Sequence, residues 1–251
     1  MNKLLLGSVV LFALAIGQPS LAADMATKAP PYNVPPVAVA STWTGCYGGG
    51  NLGGGWGPNK WTAPSTAGEQ ASNSSGIVGG VQAGCDYQIN NWVIGARGMF
   101  DWSSLSGSYL LRPTDPEYIK TQTPWFGDAA ARLGVTVGTN ILLYGLGGIA
   151  WARDKYTDTA AVPLFGFPAG TLFFTADAAR AGWIVGVGAE WMFAPHWSLF
   201  AEYDHLGLGT QTVTLVSPVG FGRRTNDINQ NIETILVGVN YHFVGPLVAR
   251  N

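Results

Sequence analysis

The stretch from residue 183 to residue 193, W-I-V-G-V-G-A-E-W-M-F, alternates between two kinds of side chain. One set of alternate positions is apolar with aromatic ends: Trp183, Val185, Val187, Ala189, Trp191 and Phe193. The other set is mostly small and carries one charge: Ile184, Gly186, Gly188, Glu190 and Met192. A period of two predicts a β-strand with two unlike faces. Aromatic ends about ten residues apart span ~25 Å on a strand tilted by ~45°, which is the height of a hydrocarbon layer. The apolar face is therefore predicted to contact lipid.

The same alternation recurs in eight strand-like segments. They are approximately 43–56, 76–89, 92–106, 123–138, 141–157, 181–193, 197–210 and 230–243. Connections after the second, fourth and sixth segments are short, whereas the others run to roughly 16–23 residues, and this alternation is typical of transmembrane barrels. The predicted fold is all-β: an eight-stranded antiparallel up-and-down transmembrane β-barrel. An even strand number puts both termini on one side, which we expect to be periplasmic.

The ends of the chain divide it into four parts. Residues 1–22 combine a positive start, a short apolar run and a small-x-small site, which predicts a secretory signal peptide, because a helical span needs about 20 apolar residues. Residues 23–42 are proline-rich and predict a flexible periplasmic leader. Residues 43–243 form the barrel, and 244–251 form a short tail after Gly245-Pro246 stops the last strand.

Composition agrees with a membrane barrel. Charged residues make up only 11% of the chain, against about 25% in soluble domains. Tryptophan, with 10 residues, suits the boundary between membrane and water. The formal net charge of −2 removes any case for binding nucleic acid, which needs a basic patch.

The charged side chains in the predicted strands share one face, which we expect to be the barrel interior. They are Asp86, Arg97, Asp101, Asp128, Arg132, Glu190, Glu202 and Asp204. Eight strands enclose little beyond side chains. We therefore favour a paired polar core over an ion path, and a wide pore is not expected.

Several sequence pieces resemble one family. They are W-T-G-C-Y-G-G-G-N-L-G-G-G-W-G at 43–57, W-V-I-G-A-R-G-M-F-D-W-S at 92–103, R-L-G at 132–134, Y-G-L-G-G-I-A at 144–150, G-W-I-V-G-V-G-A-E-W at 182–191 and W-S-L-F-A-E-Y at 197–203. The chain resembles the OmpA-like outer-membrane barrels of alphaproteobacteria that are named immunogenic or porin-family proteins. The resemblance covers nearly the whole mature chain and implies the Gram-negative outer membrane. Its members are mostly structural or surface-exposed barrels that depend on the barrel assembly machinery, and "porin" in the name does not imply a channel.

Two departures from the family pattern stand out. Such barrels usually end on an aromatic residue, whereas here Phe243 is followed by eight more residues. Cys46 and Cys85 replace aromatic residues. Pairing the first two strands with residues 43 and 89 opposite sets Cys46 near Asp86, so that the cysteines lie almost opposite each other on the outer face. In an oxidising compartment we expect a cross-strand disulfide, the alternative being two lipid-facing thiols. Two cysteines are too few for a metal site.

Catalysis, metals and cofactors find little support in the sequence. No nucleophile elbow, paired-histidine spacing or metal signature is present. His205 lies near the extracellular rim, where barrel enzymes carry their sites, but period two puts it on the opposite face from Asp204. We expect a protein that is not an enzyme and needs no cofactor.

The long loops are the other candidate site. Residues 160–174, A-A-V-P-L-F-G-F-P-A-G-T-L-F-F, are apolar for a loop. They predict either a hairpin that extends strands five and six, with its turn at residues 168–170, or a contact patch that includes Phe165 and Phe167. Arg223 and Arg224 are expected either to contact lipopolysaccharide phosphates or to form a solvated pair.

The functional expectation is a structural surface protein. It would support envelope integrity and present loops to a host or to the environment, with outer-membrane lipids and lipopolysaccharide as partners and a loop-binding partner as a further possibility. The alternatives are a narrow channel for small solutes and an adhesin or ligand-binding surface protein.

Overall fold

A computed structural model describes residues 42–62, 69–110, 117–164 and 166–243. All of them belong to one compact unit, Val39–Asn251. The predicted signal peptide, the leader up to residue 41 and the tail 244–251 lie outside the described residues. In the part of the chain that is described, no helix is long and apolar enough to cross a membrane.

Eight antiparallel strands form one closed ring in which each strand pairs with its neighbours in sequence and β1 also pairs with β8. They are β1 (Gly45–Thr62), β2 (Glu69–Ile89), β3 (Trp92–Leu110), β4 (Glu117–Val137), β5 (Ile141–Ala160), β6 (Leu172–Ala194), β7 (Trp197–Val216) and β8 (Arg223–His242). The predicted eight-stranded up-and-down barrel is confirmed.

The strands are longer than their predicted segments. Two of the three short connections match prediction and the third is one residue shorter, because Ala194 belongs to β6. The strands run several residues further at the opposite end of the barrel. Of the last two long connections, only residues 161–171 and 217–222 remain between strands. The expected loops of roughly 16–23 residues are therefore wrong at these two places, because most of their residues pair as strands.

The outer wall carries an apolar band between two aromatic girdles. Val185 and Val187, on β6, are 48% and 62% exposed, as expected of a lipid-facing strand. At the end with short connections the girdle consists of Tyr87, Trp92, Trp191, Phe193, Trp197, Tyr241 and Phe243. At the other end, called the outer girdle, exposed rings are contributed by Trp56, Trp102, Trp183 and Tyr203.

Beyond the outer girdle the strands continue as an extension with reversed polarity. Its interior holds an apolar cluster made of Ile119, Tyr156, Val213, Leu215 and Ile228. Its outer wall is polar: on β5 the outward positions after Trp151 are Arg153 and Lys155, and both are exposed. The extension therefore follows the burial rule of a soluble protein, with its apolar side chains inside.

The seam between β1 and β8 depends on glycine. A Cβ atom at Gly53 would lie 1.9 Å from the Ile235 carbonyl oxygen, and one at Gly57 would lie 2.0 Å from that of Asn231. No real Cβ contact is that short, so a side chain at either position would force the two backbones apart. Close strand approach explains these two glycines.

Candidate functional site

Arg132 is at the centre of an ion-pair network in the part of the interior that lies nearer the short connections. Its Nη2 donates to Asp86 Oδ2 at 2.6 Å and lies 2.9 Å from Glu190 Oε2. The guanidinium also faces the rings of Tyr144 and Tyr47, with its central carbon 4.6 and 5.2 Å from the ring centroids. One cation thus holds two carboxylates and two aromatic faces together.

Glu190 has further donors of its own. Ser198 Oγ donates to Glu190 Oε1 at 2.5 Å, and Asn240 Nδ2 donates to the same oxygen at 2.8 Å. His242 Nε2 lies 3.7 Å from that oxygen. The sequence provided no signal for these partners, since Ser198 lies on β7 and Asn240 and His242 lie on β8.

Arg97 organises the middle of the interior. It forms an ion pair with Glu202 and another with Asp128 at 3.3 Å. Tyr144 donates its hydroxyl to Glu202 at 2.7 Å. Asp101 and Asp204 are also buried here, and among the described residues neither oxygen of Asp101 has a hydrogen-bond partner. The middle layer therefore has more carboxylates than cations.

A third network near the outer girdle was missed in the sequence. Arg180 Nε lies 2.9 Å from Asp154 Oδ2, and Arg180 also donates to the Ile228 carbonyl at 2.8 Å. Thr123 donates to Asp154 at 2.6 Å. Both charged residues occupy inward-facing positions in the alternation of their strands, so this alternation could have predicted that they are in the interior.

All eight charged residues expected in the interior lie there. Their exposed fractions run from 0% to 6%; they are Asp86, Arg97, Asp101, Asp128, Arg132, Glu190, Glu202 and Asp204. Three arginines and their carboxylates cross the interior in successive layers. Burial of such charges is tolerable only because each arginine meets carboxylates at close range.

Cys46 and Cys85 are directly opposed on β1 and β2, and their sulfur atoms are bonded to each other. Both side chains are exposed on the outer face, near the end with short connections. The pairing differs by one residue from the expected one, which set Cys46 opposite Asp86; Asp86 pairs instead with Gly45.

His205 lies on the outer wall beside the outer girdle. Its Nδ1 is 2.5 Å from Glu233 Oε1, and Tyr203 donates its hydroxyl to Glu233 Oε2 at 2.6 Å. The Trp183 ring lies 5.0 Å away, centroid to centroid. Asp204 points into the interior, on the opposite face as period two predicted. The contacts of His205 that the structure describes include no serine or threonine hydroxyl.

The apolar loop segment is largely a hairpin. Ala160 donates to Thr171 and accepts from Gly170, whose φ of +84° suits a tight turn at the predicted residues. Phe167 packs edge-on against Phe173 at 6.0 Å and against Phe221 of the next connection at 5.9 Å. The aromatic rings therefore bind the two connections to each other. Phe165 lies outside the described residues.

The predicted arginine pair is divided in the structure. Arg224 Nη1 lies 3.4 Å from Asp158 Oδ2 and 3.7 Å from Glu117 Oε2, whereas Arg223 is exposed. Burial, together with the nearby Glu117, raises the pKa of Asp158 to about 7 despite the opposing effect of Arg224. Arg224 is thus engaged inside the extension.

These features define a class of protein: a transmembrane β-barrel with a charged, layered interior and an apolar outer wall between aromatic girdles. Residues 9–243 match the family model of the outer membrane protein beta-barrel domain. The chain belongs to this family and is a surface protein of the outer membrane.

The most informative relatives are two proteins named 31 kDa outer-membrane immunogenic protein, from Brucella melitensis biotype 1 and Brucella suis biovar 1. Each is 34% identical to this chain over 252 residues, covering 94% of this chain and 99% of the relative.

Among solved structures, similar chains include the outer-membrane protein OprG of Pseudomonas aeruginosa, at 12% identity and a TM-score of 0.45. The alignment covers 79% of this chain and 97% of OprG. Ail of Yersinia pestis matches at 14% identity and a TM-score of 0.39, covering 80% and 99% of the two chains.

Proposed function

We propose that this protein is a structural outer-membrane barrel that supports envelope integrity and presents its extension to the surroundings, without catalysis. The observation that carries the proposal is the filled interior: Arg132, Arg97 and Arg180 each join side chains from several strands across the lumen. Both termini would lie in the periplasm, because the short connections and the strand ends share one end of the barrel.

The surface role agrees with the names of the relatives. The two Brucella proteins are called outer-membrane immunogenic proteins, and such a name fits a chain segment that reaches the cell exterior. Here the extension beyond the outer girdle would be that segment, with residues 161–171 and 217–222 at its tip. Specific contacts in rigid scaffolds are commonly made by such connections.

Catalysis is not part of the proposal. The Nδ1 side of His205 is occupied by Glu233, and Tyr203 shares the same carboxylate. An acyl-transfer site needs a nucleophile within hydrogen-bond reach of the base. The described contacts of His205 are with Glu233 and Trp183, while the Tyr203 phenol contacts Glu233, and this arrangement suits an interfacial polar cluster.

The first experiment is conductance of the refolded protein in a planar bilayer. A folded band that shifts on boiling shows that the barrel has formed. Absence of discrete conductance from that material supports the filled structural barrel. Reproducible channels would contradict the filled structural barrel and favour a role in transport.

One observation favours the transport alternative. Asp101 and Asp204 are buried in the middle layer, and Arg97 already pairs with Glu202 and Asp128. An excess of interior carboxylates attracts cations. If channels are seen, cation selectivity that falls in Asp101→Asn would identify this layer as the path.

The adhesin alternative has its own test. Removal of residues 161–171 takes away the hairpin tip and leaves the strand residues Ala160 and Leu172 in place. A barrel that still folds but loses adherence to a host surface would support a contact role for the tip.

A further inference from the structure

The outer wall of β4 and β5 carries three cations on one face just beyond the outer girdle. Arg153 and Lys155 are two residues apart on β5, and Lys120 lies on β4, where Gln122 is the residue paired with Lys155. All three cations are exposed. Neighbours at this spacing lie about 7–8 Å apart. We call Lys120, Arg153 and Lys155 the basic patch.

A single opposed carboxylate, that of Asp177, offsets the basic patch only in part. None of its members takes part in an ion pair among the residues that the structure describes, whereas Arg224 pairs with Asp158 and Glu117. Asp177 of β6 stands opposite Lys155 in register, yet no ion pair within 4.0 Å joins them. Three cations against one opposed carboxylate leave this face with a net positive charge, which favours an anionic partner.

The surface beside Lys155 contains a recess that could accommodate part of a ligand bound to the basic patch. It has a volume of about 170 Å³ and is lined by Ser103, Ser104, Leu105, Gln122, Thr123, Pro124 and Lys155. It forms where the ladder slips twice, between Trp102 and Leu105 on β3 and between Gln122 and Trp125 on β4. Bulges of this kind redirect side chains at binding sites. The recess offers the amide of Gln122 together with the ammonium group of Lys155. The hydroxyls of Ser103, Ser104 and Thr123 already donate to other protein oxygens.

The height of the patch indicates where its partner lies. Trp102, Trp125 and Phe100 cluster at the outer girdle, with ring centroids 5.0–5.4 Å from Phe100. Lys155 is four residues beyond Trp151 on the same face of β5, a rise of about 10 Å on a tilted strand. A cation at that height meets lipid headgroups, and long basic side chains reach such groups readily.

We propose that the basic patch and its recess bind a phosphate group of lipopolysaccharide in the outer leaflet. The inference rests on the proposed structural role and names the partner through which the barrel would strengthen the envelope. It also moves the lipopolysaccharide contact from Arg224, which is held by carboxylates, to the side wall of the barrel. The phosphate would accept from Lys155 and the recess, and Arg153 and Lys120 would flank it.

The test titrates the refolded full-length chain with fluorescent rough lipopolysaccharide carrying two lipid A phosphates, in detergent with EDTA so that no divalent cation bridges the contact. The triple variant Lys120→Gln/Arg153→Gln/Lys155→Gln should raise the half-saturation concentration about tenfold. Lys155→Gln alone should give a smaller rise. Asp177→Asn should lower the concentration, and Arg223→Gln, a matched exposed control, should leave it unchanged.

Two further probes identify the ligand. Dephosphorylated lipopolysaccharide should bind wild type and triple variant alike, and inorganic phosphate at low concentration should not compete. Unchanged binding by a heat-modifiable triple variant would overturn the proposal, as would a site that inorganic phosphate alone fills. The structural role would survive either result, because the conductance experiment tests it separately.

Discussion

The membrane-crossing part of the barrel and the extension beyond the outer girdle are built from the same strands with opposite faces. Within the membrane the strands turn Arg97 and Arg132 inward and valines outward. In the extension they turn Ile119 and Ile228 inward, while Arg153 faces outward. The comparison teaches that the surrounding solvent, lipid or water, decides which face of a strand is apolar. A single strand can therefore be apolar on its outer face in the membrane and on its inner face beyond it.

The two interiors also differ in what holds them together. The membrane part combines directed ion pairs and hydrogen bonds, which are costly to break singly, with buried apolar side chains such as Phe126, Leu142 and Leu236. The extension relies on packing of Tyr156, Leu215 and their neighbours, which responds to lost volume.

The largest effect is expected from Arg132→Met. It leaves Asp86 and Glu190 buried without their cation, and breaking such a pair costs about 3–5 kcal/mol. Urea unfolding in lipid vesicles, followed by tryptophan fluorescence, measures the loss. Arg153→Gln is the matched control with an exposed arginine, and equal midpoints for the two variants would contradict a role for the interior network.

Ile228→Ala tests the packing of the extension. Ile228 is fully buried, so its truncation leaves a cavity and costs about 2–4 kcal/mol. Val237→Ala on the same strand is the control, since Val237 is 53% exposed to lipid and should lose much less. The same unfolding assay applies, and a larger loss in the control would reverse the assignment of the two faces.

Acidification should tighten the extension. The pKa of Asp158 is raised to about 7 in the fold, above about 3.9 in an unfolded chain. The folded state therefore binds the proton more tightly, so stability is present at low pH and is lost as pH rises between these two values. Hydrogen exchange of β5 and β6 amides, corrected for intrinsic rates, should show this fall in stability with rising pH. Asp158→Asn should flatten it, and an unaltered slope would assign the effect elsewhere.

The smallest effect is expected from Phe221→Ala. It removes ring contacts with Phe167 and Phe173 at the tip, worth about 1 kcal/mol. Protease cleavage within residues 161–171 should become faster while the unfolding midpoint hardly moves. A large midpoint shift would mean that the tip is coupled to the membrane part.

The alternation of inward and outward positions along each strand was enough to predict the strands of the ring and the charged residues in its interior. Glu190 could be placed inside from its neighbours alone, because a strand permits only two faces. The outer strand ends were missed because the apolar outer face ends there: Val213 and Ile228 are apolar on the inner face, whereas Arg153 on the outer face is charged.

The contacts between side chains within these sites could not be predicted from the sequence. Arg132 meets Asp86 and Glu190 from β2 and β6, and the choice of partner depends on register and rotamer. For the same reason the predicted register was off by one residue, so that Cys85 and not Asp86 lies opposite Cys46. The basic patch was not noticed because Lys120 and Arg153 lie far apart in sequence and meet only through β4–β5 pairing.

The glycine-lined seam carries a consequence for biogenesis. Tyr47 pairs with His242, so the first strand made must wait for the last, and until then both ends of the sheet present unsatisfied hydrogen-bonding edges. Because a Cβ at Gly53 or Gly57 would clash with the β8 backbone, glycine at these two positions is a condition for the final strand to dock. We expect a larger residue at either position to slow ring closure and so to lower the amount of protein in the membrane, because the open edges stay exposed to degradation for longer.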